Sequence, residues 1–257
     1  MSARVGLLLA AAALAAGAWR SDPPYVIVRR LPHDTTAYTQ GLVHAGGVFY
    51  ESDGLYGQSR LRRVDPLSGR TLAAVSLSDD CFAEGLAMVR GRLVQLTWKE
   101  HIAYVYDTAT LAPVDSFGYE GEGWGLTFDG HLLIMSDGTA NLRFLDPQSH
   151  QVVRQVTVRD GSTPLTRINE LEYIRGELFA NIYQSDRIAR IDPATGAVWG
   201  WIDLADLVSR ERRTQGMDVL NGIAWDEATG HLFVTGKRWP TLFELAIRPA
   251  PGLAQER

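Results

Sequence analysis

The chain contains a single cysteine, Cys81, in 257 residues, so no disulfide can close within it. A chain of this length has to be held together by its apolar core instead. Cys81 lies beside Phe82, and no histidine partner for it is identifiable, so it reads as buried filler rather than a nucleophile. Basic residues are not in excess: 25 Lys and Arg stand against 30 Asp and Glu, a formal charge of −5, with no dense basic run. That balance argues against nucleic acid as a partner. Long apolar runs are missing after residue 18, so no membrane span is expected. Helical periodicity is missing too. The histidines show no zinc-ligand pattern: His44, His131 and His231 fall in or beside expected hairpin turns.

The first residues carry a different signal. Arg4 precedes an apolar run from Val5 to Ala16, and Ala16-Gly17-Ala18 supplies small residues after it. This is the shape of a secretory signal peptide. The expectation is an exported protein, periplasmic or extracellular, with a segment 1–18 removed and one domain over 19–257.

Past residue 38 a repeat organises the chain. Gln40-Gly41-Leu42, Glu84-Gly85-Leu86, Trp124-Gly125-Leu126, Asn169-Glu170-Leu171 and Asn221-Gly222-Ile223 each open a copy, at intervals of 44, 40, 45 and 52 residues. In the fourth copy Glu170 stands where the others have glycine. A Gly-containing turn and a short apolar strand follow each opening, then a third strand that in four copies ends in Asp65-Pro66, Asp107-Thr108, Asp146-Pro147 or Asp192-Pro193. Four copies continue into a fourth strand, at 71–77, 113–117, 152–158 and 198–204. Short β-rich runs between Gly and Asp-Pro turns are strand signals. Four strands per repeat of about 45 residues is the mark of a β-propeller blade. The expected fold is therefore all-β, a five-bladed β-propeller. The last blade lacks one strand, and the β-rich segment Tyr25–Arg30 is expected to supply it from the N-terminal end, closing the ring. A closed ring has no free edge, so a monomer is expected.

In a propeller the first strand of each blade lines the central channel. Gln40, Glu84, Trp124, Asn169 and Asn221 are therefore expected to form a ring at its mouth. Ser52-Asp53, Trp98-Lys99, Ser136-Asp137, Tyr183-Gln184 and Lys237 follow the second strands and are expected around it. Glu84 comes after Phe82-Ala83, and apolar neighbours raise a carboxyl pKa toward the range useful for acid–base work. The Lys237 ammonium would orient Glu84 or a substrate oxygen. Trp98 and Trp124 would wall a dry pocket, and Gln40 and Asn169 would recognise an amide.

Eight ordered blocks resemble one family. They include Tyr38-Thr39-Gln40-Gly41-Leu42, Phe82-Ala83-Glu84-Gly85-Leu86, Asn169-Glu170-Leu171-Glu172-Tyr173 and Val234-Thr235-Gly236-Lys237-Arg238-Trp239-Pro240. From about Tyr25 to Leu245 the chain is similar to the plant and bacterial glutaminyl cyclases, the glutamine cyclotransferases. The resemblance implies conversion of N-terminal glutamine of peptides or proteins to pyroglutamate, with release of ammonia and no cofactor. It places the acid–base carboxylate on Glu84, the active-site lysine on Lys237, and the substrate pocket on Gln40, Trp98, Trp124 and Asn169. The family often carries Trp where this chain has Tyr183, a smaller ring with one more donor, so the pocket shape is expected to differ there.

Two other readings stay open on the residues alone. Glu84, Asn169 and Asn221 converge on a channel and leave room for a Ca²⁺ there, either structural or serving a divalent-cation-dependent hydrolase of the lactonase kind. A single carboxylate is a weak cage, and Lys237 would repel the ion. A secreted propeller that only binds is the other reading, since fold does not dictate function.

Overall fold

A computed structural model of the chain describes residues 25–211 and 216–248. The segment 1–18 read as a signal peptide lies outside the described residues. Each expected blade is a four-stranded antiparallel sheet. The first is built from Thr39–Ala45, Val48–Asp53, Arg60–Val64 and Thr71–Ser76, and the second from Ala83–Val89, Arg92–Thr97, Ile102–Asp107 and Pro113–Gly118. The third comprises Leu126–Phe128, Leu133–Met135, Asn141–Leu145 and Val152–Thr157, and the fourth Ile168–Ile174, Glu177–Ile182, Arg187–Ile191 and Val198–Asp203. Leu220–Asp226, His231–Gly236 and Thr241–Ile247 form the fifth, and Tyr25–Pro32 adds its outer strand, running from Tyr25 opposite Ile247 to Pro32 opposite Thr241. The sheet that lacked a strand is closed by the N-terminal segment.

Burial falls from the inside of each blade to the outside. Leu42 and Leu86 on inner strands are buried, whereas the outer strand Pro113–Gly118 is almost wholly exposed. Among the described residues five buried apolar clusters occur, one at each junction between neighbouring blades. Val43, Tyr50 and Leu61 meet Leu86, Leu93 and Tyr106 at the junction of blades 1 and 2, for example. Burying both faces of every sheet in this way is what lets the fold do without disulfides.

Two elements were not legible. A helix, Ala205–Glu211, lies between blades 4 and 5, contrary to the absence of helical periodicity, and accounts for the longest repeat interval. It has only two turns, too few to show a period. Asp203 Oδ1 accepts the Ala205 N–H (2.9 Å) at its start, and Leu207 and Val208 pack into the cluster between these blades. A two-stranded ribbon, Arg159–Asp160 with Thr163–Pro164, leaves the end of blade 3.

The repeated glycine is a packing requirement. A Cβ on Gly41 would lie 2.5 Å from Leu86 N, one on Gly85 2.5 Å from Leu126 N, and one on Gly125 2.0 Å from Asn169 O. The inner strands of blades 1, 2 and 3 thus abut the backbone of the next blade. Glu170 breaks the pattern because its side chain has work to do: its carboxyl accepts the Ile223 N–H (2.9 Å) of blade 5 and the Leu42 N–H (3.4 Å) of blade 1. One side chain satisfies backbone donors on the adjacent blade 5 and on blade 1 beyond it. Burial pushes the Glu170 carboxyl well above its usual range, with Glu172 adding to the effect.

Gly85→Ala is expected to cost about 1–3 kcal/mol, the usual range for overpacking, lowering Tm by roughly 2–4 °C per kcal/mol. Gly118→Ala, whose Cβ would meet only His101 O at 3.8 Å, is expected to change little. Thermal denaturation of both variants followed by circular dichroism checks this.

Candidate active site

A cavity of about 250 Å³ opens at the end of the channel where the inner strands begin. It is lined by Tyr38, Gln40, Phe82, Glu84, Trp98, Trp124, Asn169, Tyr183 and Lys237. The seven residues expected to carry the chemistry and the substrate pocket, Glu84, Lys237, Gln40, Trp98, Trp124, Asn169 and Tyr183, are therefore brought to one pocket. They arrive by the repeat. Gln40, Glu84 and Asn169 lie at the starts of inner strands, and Trp124 just before one, while Trp98, Tyr183 and Lys237 directly follow second strands.

Tyr38 and Phe82 were not among the expected site residues, yet a signal for them exists. Each stands two positions before a pocket residue, Gln40 or Glu84, and side chains two apart on extended backbone share a face. Asn221, Ser52, Asp53, Ser136 and Asp137 do not line the cavity. Several of these act from behind it instead. Asn221 Nδ2 donates to Gln40 Oε1 (3.3 Å) and to Thr39 O (2.9 Å). Gln40 Nε2 in turn donates to Glu84 Oε1 (3.0 Å). Both ends of the Gln40 amide are occupied, so the chain Asn221–Gln40–Glu84 sets the carboxyl orientation. Ser52 Oγ donates to Glu84 O, and Ser136 Oγ to Asn169 O (2.7 Å). Asp53 faces the other way, paired with Arg60 at 2.8 Å.

Glu84 is buried at 5% exposure. Burial drives its carboxyl pKa well above the usual range; Lys237 opposes this, and Glu122 and Glu100 add to it. Burial likewise lowers the Lys237 ammonium, against the pull of Glu84 and Asp218. Both shifts favour neutral acid and neutral amine. Among the described residues no carboxylate lies within ion-pair distance of Lys237 Nζ. It stands 4.5 Å from the centre of the Tyr38 ring and 5.7 Å from that of Tyr183, held by aromatic faces. Its loop is pinned to blade 1: Arg238 N donates to Ala37 O (2.7 Å), and His33 bridges Trp239 O (2.7 Å) and Glu51 (2.9 Å).

The apolar walls are edge-on aromatics. Phe82 meets Trp98 at 5.6 Å and Trp124 meets Tyr183 at 5.9 Å between ring centres. Asn169 is buried, and its Oδ1 has no hydrogen-bond partner among the described residues. It is an acceptor left for a donor entering the pocket. Among the described residues no cluster of three His, Cys, Asp or Glu side chains is arranged to hold a metal ion.

A carboxyl whose pKa is raised by folding stabilises the fold below its unfolded pKa, and that contribution is lost as pH rises through the folded value. Glu84→Gln has no such group to ionise. Its Tm is therefore expected to gain on that of the wild type progressively as pH rises from the ordinary carboxylate range through the raised folded value, which a pH series of melting curves checks.

Comparisons agree with this geometry. A family model described as Glutamine cyclotransferase matches residues 3–247. A glutaminyl-peptide cyclotransferase of Arabidopsis thaliana is 42% identical over 228 residues, covering 87% of this chain and 71% of the relative. The crystal structure of Myxococcus xanthus glutaminyl cyclase superposes with a TM-score of 0.82 at 40% identity, covering 86% of this chain and 95% of that one. With its five blades and its pocket at the channel mouth, the chain belongs to the glutamine cyclotransferase family.

Proposed function

We propose that this chain is a glutaminyl-peptide cyclotransferase, converting N-terminal glutamine of peptides to pyroglutamate with release of ammonia, and that Glu84 is its acid–base group. The observation that carries the assignment of Glu84 is its position: a buried carboxyl on the wall of a small aromatic pocket, oriented by Gln40. At about 250 Å³ the cavity lies just below the usual range for ligand sites, roughly 300–1,000 Å³, and suits one terminal side chain rather than a folded segment.

In the proposed reaction the substrate α-nitrogen attacks the carbon of its own side-chain amide, forming the lactam C–N bond. The bond from that carbon to the amide nitrogen then breaks. A free α-amine has a pKa of about 7.7–8.0, so a useful neutral fraction exists near neutral pH. Glu84 takes the proton that the attacking nitrogen loses and delivers one to the departing ammonia. Because burial raises its proton affinity, the ionised carboxylate is a stronger base than an exposed one and holds the proton it takes until ammonia departs. Lys237, with no carboxylate partner among the described residues, is placed to face the oxygen on which negative charge develops. Asn169 Oδ1 is an acceptor for a substrate N–H, and fixing one rotamer is most of what an intramolecular attack requires. The indoles of Trp98 and Trp124 keep water out, favouring ring closure over hydrolysis to glutamate.

These steps use protein groups only, so no cofactor is proposed. Export remains part of the proposal, resting on the pattern of residues 1–18.

Ammonia release from a Gln-initiated peptide is the direct assay. Glu84→Gln is expected to reduce kcat by about 10²–10⁴-fold with an unchanged circular dichroism spectrum; near-normal turnover would remove Glu84 from its role. Release is expected to continue in excess EDTA, whereas loss of activity restored by Ca²⁺ would favour the metal-dependent hydrolase. Tyr183→Trp is expected to alter KM more than kcat, read from the same assay, because Tyr183 shapes the pocket wall.

A further inference from the structure

Glu122 lies on the crossing from blade 2 to blade 3, two residues before Trp124, and is not part of the cavity wall. Its Oε2 nonetheless accepts the indole N–H of Trp98 (2.8 Å) and that of Trp124 (2.9 Å). Trp98 belongs to blade 2 and Trp124 leads blade 3, so a single oxygen joins the two sides of the pocket. Charge-assisted bonds of this kind are stronger and shorter than neutral ones. The rest of the carboxylate is held as well. Oε1 is 3.8 Å from Lys99 Nζ, and that ammonium stands 3.7 Å above the Trp98 ring centre. The backbone is anchored: Arg143 Nη2 donates to Glu122 O (3.0 Å), and Gly123 N to Trp98 O (2.9 Å).

We propose that Glu122 is a positioning residue that locks both indole walls of the pocket with one carboxylate oxygen. The proposal rests on the reading of this pocket as the glutamine site. Without a shared acceptor each half-buried indole N–H loses its partner, and each ring gains freedom to turn out of the wall. Burial alone would raise the Glu122 carboxyl, but the N–H donors of Trp124 and Trp98, with Lys99 and His101, outweigh it and keep the group below its usual range. It therefore stays ionised across the working range.

Two variants separate the effects. Glu122→Ala removes oxygen and charge together. It is expected to raise KM for a Gln-initiated peptide about tenfold or more, with a smaller fall in kcat, and to shift tryptophan emission to the red. Glu122→Gln keeps an acceptor oxygen but no charge. It is expected to hold KM within about threefold of the wild type and keep the wild-type emission. A wild-type KM and emission in Glu122→Ala would overturn the proposal. So would a tenfold rise in KM or a red-shifted emission in Glu122→Gln, which keeps the acceptor oxygen and decides the matter alone should the alanine variant fail to fold. Emission is read without substrate, so it tests the clamp even if the wild type released no ammonia, a result that would instead sink the proposed reaction.

Discussion

At three of the five blade junctions the inner strands approach so closely that no side chain fits between them, and the rest of the molecule depends on that spacing. Gly41 abuts Leu86 N, Gly85 abuts Leu126 N, and Gly125 abuts Asn169 O. Close approach draws the leading residues of the strands toward one mouth, where Glu84, Gln40 and Asn169 meet. It also leaves the far side of the ring to be bridged. Glu170 reaches from blade 4 to backbone donors on blades 5 and 1, the task for which the fourth copy gives up its glycine. A carboxyl buried this deeply is costly unless its oxygens are used, and here both are.

Burial is also the source of the chemistry. The groups that close the ring bury Glu84, and burial is the largest cause of its shift toward the neutral acid. Its orientation comes from a relay that begins on a different blade, with Asn221 fixing Gln40 and Gln40 fixing Glu84. Lys237 depends on the closure in the same way. Its loop is tied by His33 and Ala37, which lie between the closing strand and blade 1. A small domain without disulfides thus uses one set of contacts to hold its shape and to aim its reactive groups.

The sequence alone contained the architecture, because the pattern that specifies it is local. Glycine openings, Gly turns and Asp-Pro turns recur at about one blade length, and Tyr25–Arg30 is β-rich where a strand is owed. Positions at strand starts and after second strands mark the channel mouth by geometry, so Glu84, Lys237, Gln40, Trp98, Trp124, Asn169 and Tyr183 were all legible. The same alternation, carried back two residues, marks Tyr38, Phe82 and Glu122, so these were within reach of the pattern. The helix Ala205–Glu211 was not, since two turns show no period.

What only the tertiary structure decided are the partnerships between residues far apart in the chain. Nothing local pairs Asn221 with Gln40, Glu170 with Leu42, or one oxygen of Glu122 with indoles on two blades. Whether Asn221 faces the pocket or stands behind it depends on a fraction of a turn in a closed ring. Whether Lys237 pairs with Glu84 or rests against Tyr38 depends on how two loops from distant repeats settle together. Strand periodicity comes from neighbouring residues and is written along the chain; hydrogen-bond partners and burial arise only when the ring closes and excludes water.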